Sequence, residues 1–268
     1  MTRHIRWAAA LVLLLAGSSA QAAEARLVSI KTPRGAGQAF ILIEPAKPVA
    51  SVILFAGGHG ALGLTSASSM KWGAGNFLVR TRNMFAAHGF MVAVVDAPSD
   101  RKKGMNAVFR MSGSHAGDIG AVAAYLTKLA PVPVWLVGTS MGTFSAAEGA
   151  IAGHADGLVL TSTITHSPAR WNIAESKPHA VANMALSRVS VPTLILAHRH
   201  DGCHASPPSG AAMLKQRLSK ARKVEVVMLD GGLPPRSQPC EAKAQHGYYG
   251  IEAKAVAAIA SFIKANSK

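Results

Sequence analysis

The chain has 268 residues, of which 49% are hydrophobic and only 15% charged, enough apolar material for one sizeable core. Its formal charge is +15, yet the basic residues are scattered, densest at Arg101-Lys102-Lys103 and across 215–223, with no nucleic-acid motif beside them. Nucleic-acid binding is therefore set aside in favour of a solvated basic surface.

Arg3 and Arg6 precede an apolar run over 7–16, and Ala20-Gln21-Ala22 follows as a small-x-small cleavage signal. Ten apolar residues are too few to span a bilayer, which needs about 20. No later run is long enough. The expectation is a signal peptide over 1–22, cut near Ala22, and one domain over 23–268 in the periplasm or outside the cell, without stable membrane insertion. Losing Arg3 and Arg6 leaves 26 basic against 13 acidic residues, a net charge of +13.

Residues 26–31 and 39–43 read as an opening antiparallel pair around Pro33-Arg34-Gly35. A buried strand over 51–55 ends in Gly57-Gly58-His59-Gly60, and a helix over 77–88 leads to a strand over 91–95. Ile119, Val122, Leu126 and Leu129 recur at helical spacing, so 118–129 is a predicted helix. His115 and Asp118 read as a cap and its neighbour. Strands follow over 132–137, 157–161, 193–196 and 224–229, and Ile251, Ala255, Ile259 and Phe262 mark one face of a closing helix. This alternation implies an α/β class, a mostly parallel sheet with helices on both faces. The irregular stretch 166–189, with Trp171, Pro178 and Met184, is the natural place for a small lid, over about 164–190. Trp72, Trp171 and Met184 are candidate pocket walls.

Gly138-Thr139-Ser140-Met141-Gly142 sits between the 132–137 strand and the small-residue stretch Phe144-Ser145-Ala146-Ala147. A serine at such a strand-to-helix turn holds its hydroxyl out of the sheet, and glycines two residues either side avoid Cβ clashes. Asp201 follows the strand over 193–196, and His246 lies in Gln245-His246-Gly247-Tyr248 after the last strand. The order nucleophile, acid, histidine, at separations of 61 and 45 residues, resembles the α/β-hydrolases, including dienelactone-hydrolase-like and exported serine esterases.

That resemblance implies a Ser140–His246–Asp201 triad, with Met141 N–H as one oxyanion donor and Gly58, or next His59, as the other. The departure is Ala56, where many relatives carry histidine before the glycines. Asp96 and Asp230, each at a strand end, compete with Asp201 as the acid. The activity implied is hydrolysis of small-molecule carboxylic esters, without cofactor. The alternatives are a peptidase or amidase using the same triad, or an inactive envelope-binding protein on the same scaffold.

In an oxidising compartment the two cysteines, Cys203 and Cys240, are expected to be bridged, the alternative being two buried thiols. Two further patterns are discounted. Residues 58–63 satisfy Gly-x-Gly-x-x-Gly, but no acidic residue lies about 20 positions on. His198, His200, Asp201, Cys203 and His204 are metal-ligand types, but neighbours on an extended segment point to opposite sides, so no metal is expected.

Overall fold

In the computed structural model, which describes residues 24–267, the strands are β1 (Ala25–Lys31), β2 (Gly37–Ile43), β3 (Ala50–Phe55), β4 (Phe90–Val95), β5 (Val134–Thr139), β6 (Gly157–Thr161), β7 (Thr193–His198) and β8 (Val224–Leu229). The helices are α1 (Phe77–Arg80), α2 (Arg82–Ala87), α3 (Ala107–Arg110), α4 (Gly113–Leu129), α5 (Gly142–Ile151), α6 (Gly210–Arg217) and α7 (Glu252–Asn266). The expected signal peptide, 1–22, lies outside the described residues. Among those residues no helix is long and apolar enough to cross a membrane.

The strands make one sheet in the order β1-β2-β4-β3-β5-β6-β7-β8. β2 pairs antiparallel with both β1 and β4, and every other neighbouring pair is parallel. Strands β3 to β7 are buried along their whole length, because helices cover both faces and leave no polar side. Period-two alternation divides their side chains between two cores. Ile53, Leu136 and Leu160 meet α4 and α5 through Ile119, Val122, Leu126 and Phe144. On the other face, Val52, Leu54, Trp135 and Val137 meet α1, α2 and α7 through Phe77, Phe85, Val256 and Ile259. Each such fully buried side chain contributes about 1.5–3 kcal/mol, so truncating one of the fully buried isoleucines to alanine is expected to cost about 2–5 kcal/mol.

Several boundaries differ from the sequence expectation for local reasons. The helix over 77–88 is two pieces interrupted at Thr81, whose hydroxyl donates to the Phe77 carbonyl at 2.7 Å instead of facing solvent. α4 starts five residues earlier than expected, because the Ser112 hydroxyl caps it by accepting from His115 N–H at 3.2 Å. His115 and Asp118 are consequently buried helix residues and not a cap and its neighbour. Two of the α4 residues ahead of Asp118, Gly113 and Gly117, are poor helix formers, which hid that first turn.

The segment 164–190 runs through two single turns, Ala180–Asn183 and Leu186–Arg188, and buries Ile164, Ile173, Val181 and Leu186 in the core beside α5. Met184, a candidate pocket wall, is buried in that core too. The parallel strands β3, β5, β6 and β7 share one direction, so their carboxyl ends open on a single edge of the sheet, where open α/β sheets form their clefts.

Candidate active site

At the end of β5 the chain turns into α5 through Ser140, which has φ +52°. A non-glycine residue there carries about 1–3 kcal/mol of backbone strain, tolerated only where the surroundings over-determine it. They do so here. Ser140 N–H donates to Thr161 O on β6 at 3.1 Å, and its own carbonyl accepts from Thr143 N–H at 2.9 Å. A Cβ on Gly138 would stand 2.5 Å from the Gly142 carbonyl oxygen, and one on Gly142 would collide with the Phe55 carbonyl of β3. The sharp turn therefore needs glycine at both places.

The loop after β3 passes directly over this turn. A Cβ on Gly57 would stand 3.0 Å from Ser140 Cβ, so the two backbones approach closely. Gly58 has φ +58°, and Trp72 occupies the space a Cβ would fill. The Trp72 indole stacks on the His59 ring at 3.9 Å between centroids. The backbone N–H groups of Gly58, His59 and Met141 donate to no other described residue. Three donors thus lie free within a few residues of the Ser140 turn.

The other half of the site comes from loops after β7 and β8. Asp201 is 7% exposed and His246 4%. His246 Nδ1 lies 2.9 Å from Asp201 Oδ2. Cys203 N–H donates to Asp201 Oδ1 at 2.9 Å. The Ser206 hydroxyl donates to Asp201 Oδ2 at 3.1 Å and lies 2.9 Å from His246 Nδ1. With Nδ1–H directed to the carboxylate, Nε2 is the free acceptor. Nε2 is buried and has no hydrogen-bond partner among the described residues.

The histidine loop is braced from behind. Tyr248, at φ +57°, donates its hydroxyl to Leu196 O at 2.8 Å and accepts from Ser162 N–H at 3.2 Å. Burial pushes its phenol pKa up, so it stays a donor. The Ser162 hydroxyl donates to His246 O at 2.8 Å, and Arg80 Nη2 donates to Gly247 O at 2.6 Å. Cys203 and Cys240 form a disulfide with Cα atoms 4.5 Å apart. It ties the Asp201 loop to the segment that leads into His246.

Ser140 and His246 line one small cavity together with Gly57, Gly58 and Asn76, without a direct hydrogen bond between the two side chains. Two larger spaces flank it. One, of about 540 Å³, runs past Met141 between Met105, Ala107 and Trp171, with Lys103 and Arg170 on its wall and no acidic residue. The other, of about 460 Å³, lies between Trp72, Asn76, Cys240 and Ala242, where Glu241 and Lys243 balance in charge. Trp72 and Trp171 are thus wall residues.

The competing residues are engaged elsewhere. Asp96 accepts from the N–H groups of Leu62, Gly63, Leu64 and Ala97 and so shapes the turn after the glycine loop. Asp230 is exposed and pairs with Arg199 and His200. The glycines over 58–63 turn around Asp96 and open no helix, since α1 begins only at Phe77. Of the metal-type cluster, His198 bonds Gly231 O, His200 faces Asp230, Asp201 holds His246 and Cys203 is in the disulfide.

Sequence reasoning missed Ser206, Tyr248, Arg80 and Arg110. Nothing marks Ser206 beyond its place five residues after Asp201. Arg110 left a fainter trace, as the one charge in the otherwise apolar run 107–111.

No family profile matches this sequence, and no curated protein matches it. Solved structures do. An esterase from Pyrococcus furiosus aligns over 92% of this chain and 94% of its own, at TM-score 0.64 and 14% identity. A Xanthomonas campestris α/β serine hydrolase described as lacking a lid covers 90% of this chain and 94% of its own, at TM-score 0.58 and 14% identity. Dipeptidyl peptidase 4 from Porphyromonas gingivalis covers 89% of this chain with 36% of its own, at TM-score 0.57 and 14% identity. At such identities the likeness speaks for architecture and not for residue roles. The sheet order, the sharp turn after β5 and these neighbours together identify the fold of this chain as that of the α/β-hydrolases.

Proposed function

We propose that the chain is a serine hydrolase of carboxylic esters, with Ser140 as nucleophile, His246 as general base and acid, and Asp201 as its orienting carboxylate. The observation that carries this reading is the buried, unpartnered His246 Nε2 on the cavity that Ser140 lines, with Nδ1 held by Asp201. A hydroxyl is a weak nucleophile until an adjacent imidazole accepts its proton. Hydrogen bonds of this kind are commonly loose without substrate and tighten in the complex.

In the first half-reaction Ser140 Oγ attacks the ester carbonyl carbon while His246 Nε2 takes the hydroxyl proton. The charge that develops on the carbonyl oxygen is met by Met141 N–H and by Gly58 or His59 N–H, each donor worth about 3–4 kcal/mol in such holes. Collapse expels the alkoxide, which takes the proton from His246. Water then loses a proton to His246, attacks the acyl-serine and releases the acid, restoring the Ser140 hydroxyl. Asp201 orients the imidazole and stabilises its charged form. No step requires a cofactor.

Lys103 and Arg170 favour anionic groups in the space past Met141, a preference that salt should weaken because both are exposed. In the same reading the 164–190 segment shapes that space through Arg170, Trp171 and Asn172. Export, with cleavage near Ala22, is supported by the disulfide, which persists in oxidising compartments. N-terminal sequencing of the mature protein checks it, and a chain still beginning at Met1 would refute it.

A fluorophosphonate probe and p-nitrophenyl esters test the central claim. Labelling and turnover are expected in the wild type, with Ser140→Ala losing the label and about 10⁴-fold or more in kcat. Absence of labelling favours the binding-protein alternative. Cleavage of peptide anilides in place of esters favours the peptidase.

A further inference from the structure

Arg110 is the anomaly of the interior. Its side chain is 1% exposed, and no carboxylate lies within ion-pair distance among the described residues. Burial pushes its pKa down to about 10, so it remains a cation. His115, whose Nε2 lies 2.9 Å from the same Ser145 hydroxyl that Arg110 reaches, is held neutral by burial and by Arg110 itself. A buried charge without a counter-charge is costly, and a Leu or Met would fill the same volume more cheaply. Something must compensate.

The compensation is a set of dipoles. Arg110 Nη1 donates to the Ser145 hydroxyl at 2.8 Å. Nη2 donates to Gly58 O at 3.2 Å and to Ala56 O at 3.5 Å, and Nε donates to Met105 O at 3.4 Å. Two of these acceptors flank Gly57 in the glycine loop. Ser145 stands on α5 one turn beyond Met141, on the same face. One guanidinium therefore bridges the two backbone segments assigned above to the oxyanion hole. Even the loop is shaped around it: Gly60 has φ +70°, and a Cβ there would collide with Nη2.

We propose that Arg110 is a positioning residue for the oxyanion hole, clamping the Ala56 and Gly58 carbonyls to Ser145 so that the glycine-loop N–H groups and Met141 N–H hold a fixed separation. This rests on the serine-hydrolase reading. The peptide group is planar, so the Gly58 carbonyl held by Arg110 also fixes the N–H of His59, one of the two candidate loop donors, while the Ala56 carbonyl fixes the peptide that leads into Gly57 and Gly58. A carbonyl that accepts from a cation is polarised, which strengthens its own N–H as a donor. The donors are thus prepared before charge appears on the substrate.

The test uses the full chain with Arg110→Met and Arg110→Lys. A clamp acts on the transition state, so kcat for a neutral p-nitrophenyl ester should fall about 30-fold or more in Arg110→Met, with KM changed less than about threefold. Binding of a trifluoromethyl ketone, which mimics the tetrahedral oxyanion, should weaken in parallel, and Arg110→Lys should recover part of both. A folded Arg110→Met enzyme with kcat within about threefold of wild type would overturn the assignment. A merely structural role would instead lower the folded fraction and leave kcat per labelled serine unchanged. If Arg110→Met does not fold, Ser145→Ala decides, with at least about a fivefold kcat loss expected and an unchanged kcat overturning the clamp. Amide hydrogen exchange at residues 57–59 separates the two claims. Unchanged exchange in Arg110→Met refutes the clamp, whereas a wild type without fluorophosphonate labelling refutes the hydrolase reading.

Discussion

Gly138 and Gly142 hold Ser140 by what they lack, whereas Asp201, Ser206 and Cys203 hold His246 by the groups they present. The first half of the cleft is built from backbone: five consecutive residues, the end of β3 and the Thr161 carbonyl of β6. The second is built from side chains and a disulfide joining loops that lie 37 to 45 positions apart along the chain. Backbone sterics are all-or-none, since a buried carbonyl cannot swing aside for a methyl group. Hydrogen-bonded relays are graded, since each member contributes a share and others remain. The two halves should therefore fail differently when perturbed.

The largest expected effect on the His246 half is Asp201→Asn. The carboxamide can hold the wrong tautomer of the imidazole, and kcat on a p-nitrophenyl ester should fall about 10⁴-fold with the fold intact, as single-turnover kinetics and circular dichroism would show. Equal activity would show that the carboxylate does not orient the base. Next comes the disulfide. Cys203 and Cys240 are 37 residues apart, and opening a loop of that size costs about 4 kcal/mol on the chain-entropy account. Reductant, or Cys240→Ala with Cys203→Ala, should lower the unfolding free energy by about that amount and the melting temperature with it, and an unaltered melting curve would show that the bridge contributes nothing to stability.

On the Ser140 half, Gly142→Ala forces a Cβ into the Phe55 carbonyl and should cost about 3 kcal/mol in urea unfolding, with activity lost alongside stability. Gly117→Ala is the control, because nothing lies within 4 Å of that site and helix α4 should gain up to about 1 kcal/mol.

A smaller effect concerns His115 beneath α5. Burial, and then the charges of Arg110 and Arg34, bring its pKa down to about 3 from 6.5. The unfolded chain binds that proton more readily, so this contribution is complete above pH 6.5 and is lost as pH falls toward 3. About 2 kcal/mol should be gone at pH 5. His115→Gln should flatten the acid limb of the melting profile by that much. The smallest is Ser206→Ala, which leaves the Asp201–His246 bond in place and should reduce kcat about tenfold, or about 1.4 kcal/mol. A loss as large as that of Asp201→Asn would mean that the relay is not graded after all.

Legibility in the sequence followed the same division. The strands were readable because buried β-runs flanked by turn residues carry a local signal, and the disulfide because two cysteines admit one pairing. The turn at Ser140 was readable because its glycines are close neighbours of the residue they serve. The start of α4 was not, since Gly113 and Gly117 weaken the helical signal that the Ser112 cap restores. Thr81 gave no sign that it would divide a helix. Ser206 and Arg110 were invisible for a deeper reason. A serine or arginine looks the same whether it faces water or lies beneath a cleft, and only chain folding brings Ser206 to His246, 40 residues away, or Arg110 to Gly58, 52 residues away.

Taken alone, the order of residues determined an α/β sheet, a serine on a sharp turn, and an acid and a histidine after the right strands, because each depends on neighbours a few positions away. The resemblance favoured Asp201 over Asp96 and Asp230, which also follow strands, and tertiary structure showed the contact itself, with Asp201 on His246 and the other two engaged elsewhere. Tertiary structure also decided that the Arg110 cation lies beneath the glycine loop with no carboxylate partner among the described residues. Burial and long-range hydrogen bonding are properties of the folded chain, and no local pattern encodes them.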